Sequence, residues 1–169
     1  CVTIGNVLMR VGKALLILFM TLPLAAMANA RPKLDIRPHE APAVCGSQTP
    51  QIEVLVTGVE AKGILTVELY RPSKHDFLRK ASRIQRVRVP AENDSQTVCF
   101  NLASSGKYAL AAYHDIDADR DLARKWNMLP AEPFALSNNQ PLRLRMPSFE
   151  DAAFTAGEET TRVRLELKQ

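Results

Sequence analysis

Four aspartates, Asp115, Asp117, Asp119 and Asp121, alternate along the run Asp-Ile-Asp-Ala-Asp-Arg-Asp. Hard cations such as calcium (Ca2+) need several carboxylate oxygens converging at about 2.3–2.6 Å, and this spacing could supply them. An EF-hand-type loop would also need a glycine at its sixth position and a bidentate glutamate at its twelfth. Counted from Asp115, those positions hold Arg120 and Trp126. Glu150 or Asp151 could complete a site from elsewhere, whereas Arg120 would bring a positive charge to it. The competing role is structural: loop aspartates cap turns by accepting backbone N–H groups.

His114 precedes this run, and with Glu150 or Asp151 it would make an acid–base pair for an enzyme. Adjacent strand residues point to opposite faces, so His114 and Asp115 do not converge by themselves. His39 and His75 show no metal-ligand spacing to it, and no serine lies in a G-x-S-x-G elbow, so hydrolase chemistry finds no support. Asn138, Asn139, Glu150 and Asp151 have side chains that hydrogen-bond backbone and organise loops. Together with His114, Asp115, Phe134 and the single tryptophan, Trp126, they could instead form a binding surface at one end of a rigid scaffold.

That scaffold is legible as alternation. Residues 52–57 alternate Ile52, Val54 and Val56 with Glu53, Leu55 and Thr57, and Gly63 opens a second alternating run over 64–70. The short link between them suits a hairpin. Residues 71–82 break the pattern with a turn and a short helical stretch over 74–80. Further strands are expected over 83–90, with Arg83, Arg86 and Arg88 toward solvent, over 96–102 and over 107–114, the last covered on both faces. A long irregular segment over 115–140 follows, then strands over 142–146 and 162–167. Seven strands with turn signals between them make an all-β, Greek-key β-sandwich of immunoglobulin-like or transthyretin-like type.

Arg10 and Lys13 precede an uncharged apolar run over 14–27 that closes in Ala28-Asn29-Ala30, the layout of a secretory signal cleaved after Ala30. A spanning helix wants about 20 apolar residues, and this run is shorter and interrupted by Pro23, so no stable membrane anchor is expected. Met9 begins a complete signal, which makes it the expected start and removes Cys1. Residues 31–50 then read as a proline-rich extended leader tied down at Cys45, and 51–169 as one domain. Cleavage takes Arg10 and Lys13 from the 22 basic residues and none of the 18 acidic ones, lowering the net charge from +4 to +2. So small an excess argues against nucleic acid as a partner. Cys45 and Cys99 are expected to form a disulfide in a periplasmic or secreted protein.

Tyr113-His114-Asp115 with its aspartate run, Phe134-Ala135-Leu136-Ser137-Asn138-Asn139 and Pro147-Ser148-Phe149-Glu150-Asp151-Ala152-Ala153-Phe154 together resemble the exported bacterial family called domain of unknown function 2141. The resemblance runs over about 52–167 and implies the same β fold, with no activity attached. The chain departs from the family in carrying Arg120, Ala131 and Ala135 where asparagine and glycine are usual, so a backbone of positive φ is not expected there. The functional expectation is a non-enzymatic module binding an unidentified protein, glycan or small molecule through the 115–151 region. Two alternatives stand beside it, a calcium-stabilised structural or adhesion-type module and an enzyme using His114.

Overall fold

In the computed structural model the described residues are 33–125, 130–141 and 146–168. The alternating runs become strands: β1 (Gln51–Thr57), β2 (Ile64–Tyr70), β3 (Arg83–Pro90), β4 (Ser95–Asn101), β5 (Gly106–Asp115), β6 (Phe134–Leu136), β7 (Phe154–Ala156) and β8 (Thr160–Glu166). They make a sandwich of two sheets, ordered β4-β1-β8 and β3-β2-β5-β6, with β7 also paired to β5. β1 is antiparallel to β4 and parallel to β8. Ile52, Val54, Val56, Val98, Phe100 and Leu165 of the first sheet close on Leu65, Val67, Leu69, Val87, Leu110 and Ala112 of the second. Each fully buried side chain of this size contributes about 1.5–3 kcal/mol.

The expected β1–β2 hairpin does not form, because the two strands lie in opposite sheets. Gly58 and Gly63 take left-handed φ of 80° and 74° and carry the chain across. A side chain at Gly63 would run into the Asp115 and Ile116 carbonyls. Separation of the first two strands departs from the immunoglobulin arrangement, in which they share a sheet. The described residues form eight strands, where seven were expected. β6 and β7 are three residues each, too short for alternation to reveal. The helical stretch expected over 74–80 is a series of turns, broken where Leu78 takes φ of 63° and where Ser82 Oγ donates to the Asp76 carbonyl. Residues 142–145 of the expected 142–146 strand, Trp126 and the segment 1–30 expected to be a signal lie outside the described residues.

β2 and the second half of β5 are buried on both faces because the β3-β2-β5-β6 sheet carries a second apolar layer on its outer side. There Tyr70, Phe77, Tyr113, Phe134, Phe149 and Ala152 pack together, with Phe77 edge-on to both Tyr70 and Phe149 at centroid distances of 5.4 and 5.9 Å. The short helix α1 (Phe149–Ala152) supplies part of this cover. No described helix is long and apolar enough to cross a membrane.

The 33–50 leader belongs to the same compact unit as the strands and is held at more than Cys45. Cys45 and Cys99 form a disulfide with a Cα–Cα distance of 5.3 Å. Ala43 N donates to the Cys99 carbonyl at 2.9 Å, which adds the leader to the β4 edge. Before it, a 3-10 turn over Pro38–Glu40 lies against β3 and places Glu40 on Arg88. Arg88 therefore corrects the expectation of a solvent-facing strand side: it is only 1% exposed, while Arg83 and Arg86 bend over the sheet to share Glu68 at 2.9 and 2.6 Å.

Candidate functional site

Asp115 ends β5 on the outer face, opposite Ile64 in the β2 ladder, and is fully buried. The chain then turns sharply, with Ala118 and Arg120 at left-handed φ of 60° and 76°. Such a conformation costs a non-glycine residue on the order of 1 kcal/mol or more. Asp115 offsets that cost by accepting Asp119 N at 3.2 Å on Oδ1 and Arg120 N at 2.8 Å on Oδ2. Residues other than glycine thus take the positive-φ backbone that the substitutions had argued against. Asp119 closes a smaller turn by accepting Asp121 N at 2.8 Å.

Beyond the turn the β5–β6 hairpin continues as an irregular stem. His114 N donates to Pro133 O at 2.9 Å, and Ala131 N to Ala123 O at 2.8 Å, with a last bridge between Arg124 and Pro130. In the gap the ladder is replaced by a side chain: Glu132 accepts Ile116 N at 3.1 Å and Ala123 N at 3.4 Å. This stem brings Asp115, Asp117 and Glu132 together, with one oxygen from each lying within 4.8 Å of the others. The four aspartates of the sequence run do not all converge here. Asp119 and Asp121 are not part of the trio, and Glu132 is its third member. Glu132 was missed because only the unseen β6 pairing puts residue 132 opposite residue 115; its one signal in the sequence is an acidic residue between Ala131 and Pro133.

Burial pushes the Asp115 carboxyl above the ordinary carboxylate range; Asp117 and Asp119 add to that push, and the Arg120 N–H works against it. Glu132 is raised for the same leading reason, with the Asp115 and Asp117 charges contributing and the Ile116 N–H opposing. The trio suits a hard cation by donor type, but four of its oxygens already accept backbone N–H groups. Arg120 does not crowd the trio. Its guanidinium turns to the leader, pairing with Glu40 Oε1 at 2.9 Å and Asp35 Oδ2 at 3.4 Å, while its carbonyl accepts Arg88 Nη2 at 2.7 Å. Arg88 is further held by Glu40 Oε1 at 2.6 Å, Tyr113 OH at 3.2 Å and Thr66 Oγ1 at 3.3 Å.

The remaining candidates are spread apart. His114 faces the inner side, fully buried, with Nε2 2.6 Å from the Lys62 carbonyl and Nδ1 unpartnered among the described residues. Glu150 is exposed and pairs with Lys107 at 3.7 Å, at the start of β5. Lys107 and His114 lie seven residues apart along that strand, about 23 Å at strand rise, so the acid–base pairing of His114 with Glu150 is not assembled. Asp151 forms a capping box with Ser148 at the start of α1. Asn138 donates to the Ala153 carbonyl at 3.0 Å. Asn139 bonds both Arg164 O at 3.0 Å and Glu166 N at 2.8 Å, acting as a strand partner along the outer edge of β8. Phe134 is spent in the outer apolar layer.

Every motif that carried the family resemblance thus has a place in this architecture: the β5 terminus, the β6 turn and the α1 cap. No curated protein and no solved structure matches the chain. A family model described as "Uncharacterized protein conserved in bacteria (DUF2141)" matches residues 54–164, from within β1 to within β8. The chain belongs to this bacterial family.

Proposed function

We propose that this chain is a non-enzymatic binding module working in an oxidising compartment outside the cytoplasm, with the 115–151 loop region as its contact surface. The observation that carries the reading is the stem. Two buried carboxylates, Asp115 and Glu132, are committed to holding an irregular hairpin extension whose last described pairing is Arg124 with Pro130. A loop ordered in advance avoids about 0.5–1.5 kcal/mol of entropy loss per side chain when a partner binds. The Cys45–Cys99 bridge supports the oxidising compartment. The reading requires Trp126, just past the stem, to meet solvent. As the single tryptophan, it gives that answer directly through its emission wavelength and its quenching by acrylamide. Red-shifted, readily quenched emission is expected, and blue-shifted emission that resists quenching would remove the proposed surface.

A second reading, a calcium-stabilised module, is favoured by the Asp115, Asp117 and Glu132 trio. A cation bound only by the folded form raises stability by RT ln(1 + [L]/Kd). The melting temperature should then rise with added Ca2+ relative to chelator, and an unchanged value defeats this reading.

A further inference from the structure

Three strand edges of the sandwich are covered. The β4 edge meets Ala43 of the leader, the β8 edge meets the Asn139 amide, and β6 is bridged in both directions by Lys168, at 2.9 and 3.1 Å. β3 is different. It pairs with β2 on one side, and among the described residues no strand pairs on the other. The leader turn covers its Arg88 end, and Gln96 Nε2 donates to the Pro90 carbonyl at 2.9 Å. At its start Ile84 is 49% exposed and sits where the ladder register shifts, with Arg83 and Gln85 but not Ile84 matched to β2.

The segment that leads into this edge is basic, whereas exposed Glu92 and Asp94 follow its far end. Residues 71–88 carry seven of the chain's basic residues and one acidic residue, Asp76. Arg88 is neutralised by Glu40, and Arg83 and Arg86 share Glu68. Arg71, Lys74, Arg79 and Lys80 are exposed and make no salt bridge among the described residues. An unpaired edge is a template for a further strand. These four cations lie in the segment that leads into β3 and favour a partner of the opposite sign at that end of the edge.

We propose that the outer edge of β3 receives an extended acidic peptide segment of another protein by strand addition, with Arg71, Lys74, Arg79 and Lys80 supplying charge recognition. The test uses the mature chain and a fluorescein-labelled octapeptide of alternating valine and glutamate, with the valine–lysine peptide as control, followed by anisotropy and by amide hydrogen exchange. Saturable binding of the acidic peptide alone is expected, with slowed exchange in 83–90. Ile84→Pro, which removes an N–H at a residue without a β2 partner, and the double variant Arg79→Glu/Lys80→Glu should each weaken binding at least tenfold. Exchange in wild-type protein keeps the test valid should Ile84→Pro misfold. Absent saturation, or unchanged exchange in β3, overturns the proposal. So does binding that Ile84→Pro leaves intact and that inorganic polyphosphate or anionic vesicles reproduce, since that pattern belongs to a polyanion surface.

Discussion

Replacing Glu40 with glutamine should destabilise the protein far more than its place in a proline-rich leader suggests. The Glu40 carboxylate is the counter-ion of Arg88, with side chains 4% and 1% exposed, and also takes Arg120 at 2.9 Å and the Arg37 N–H at 3.1 Å. Glutamine preserves the shape and one acceptor oxygen but leaves the Arg88 guanidinium buried without a negative partner. Removing one member of a buried pair costs about 3–5 kcal/mol, against a total of about 5–15 kcal/mol for a domain. That corresponds to a fall in melting temperature of about 10–20 °C. Urea denaturation of wild type, Glu40→Gln, Arg88→Met and the double variant Glu40→Leu/Arg88→Met gives the coupling. The double variant should recover much of the loss, because apolar replacement of a buried pair is often neutral. The pH dependence is a second handle. Burial alone would raise the Glu40 pKa, but the Arg37 N–H, Arg120 and Arg88 outweigh it and hold the carboxyl below its ordinary value of 4.5. The pair's contribution is therefore full above that value and is lost as pH falls through the lower, folded-state one. The gap between wild type and Glu40→Gln should narrow as pH falls below 4.5. A loss below about 1 kcal/mol at pH 7, or single-variant losses that simply add in the double, would refute a docked, desolvated leader.

Replacing Cys45 and Cys99 with serine opens a crosslink between positions 54 residues apart, and chain entropy sets the loss at about 4 kcal/mol, read by urea denaturation under non-reducing conditions. Asn139→Ala removes both bonds to the β8 edge and should cost about 1–3 kcal/mol, with faster amide exchange at Glu166 as its local signature. Asp115 and Glu132 have raised folded-state pKa values, so folding penalises their ionised forms. Stability from this pair should rise as pH falls through those folded values, the opposite sign to Glu40. Asp117→Asn removes a charge that raises Glu132 and should flatten that rise in denaturation curves taken from neutral pH downward.

Alternation alone placed β1, β2, β3, β4, β5 and β8 within a few residues of their observed bounds, because each presents apolar side chains at period two to a shared core. The cysteine pair was readable for a similar reason: once Cys1 is set aside, two remain and they pair. Sheet membership was not readable. β1 and β2 look like a hairpin locally, and only cross-sheet packing and the turns at Gly58 and Gly63 send them to opposite layers. The same limit applied to the charged residues. Arg86 and Arg88, two residues apart, have the same spacing as any solvent-facing pair, yet the leader folds back over one of them, so burial and pairing with Glu40 arise from contacts 48 residues apart. Glu132 joins Asp115 and Asp117 through strand pairing that three-residue β6 is too short to announce. Residue types and periodicity thus determined the sandwich and the segment where its acidic chemistry lies. Tertiary structure decided which carboxylates meet, which arginine is buried, and which edge has no strand partner among the described residues, because those depend on long-range packing that no local pattern encodes.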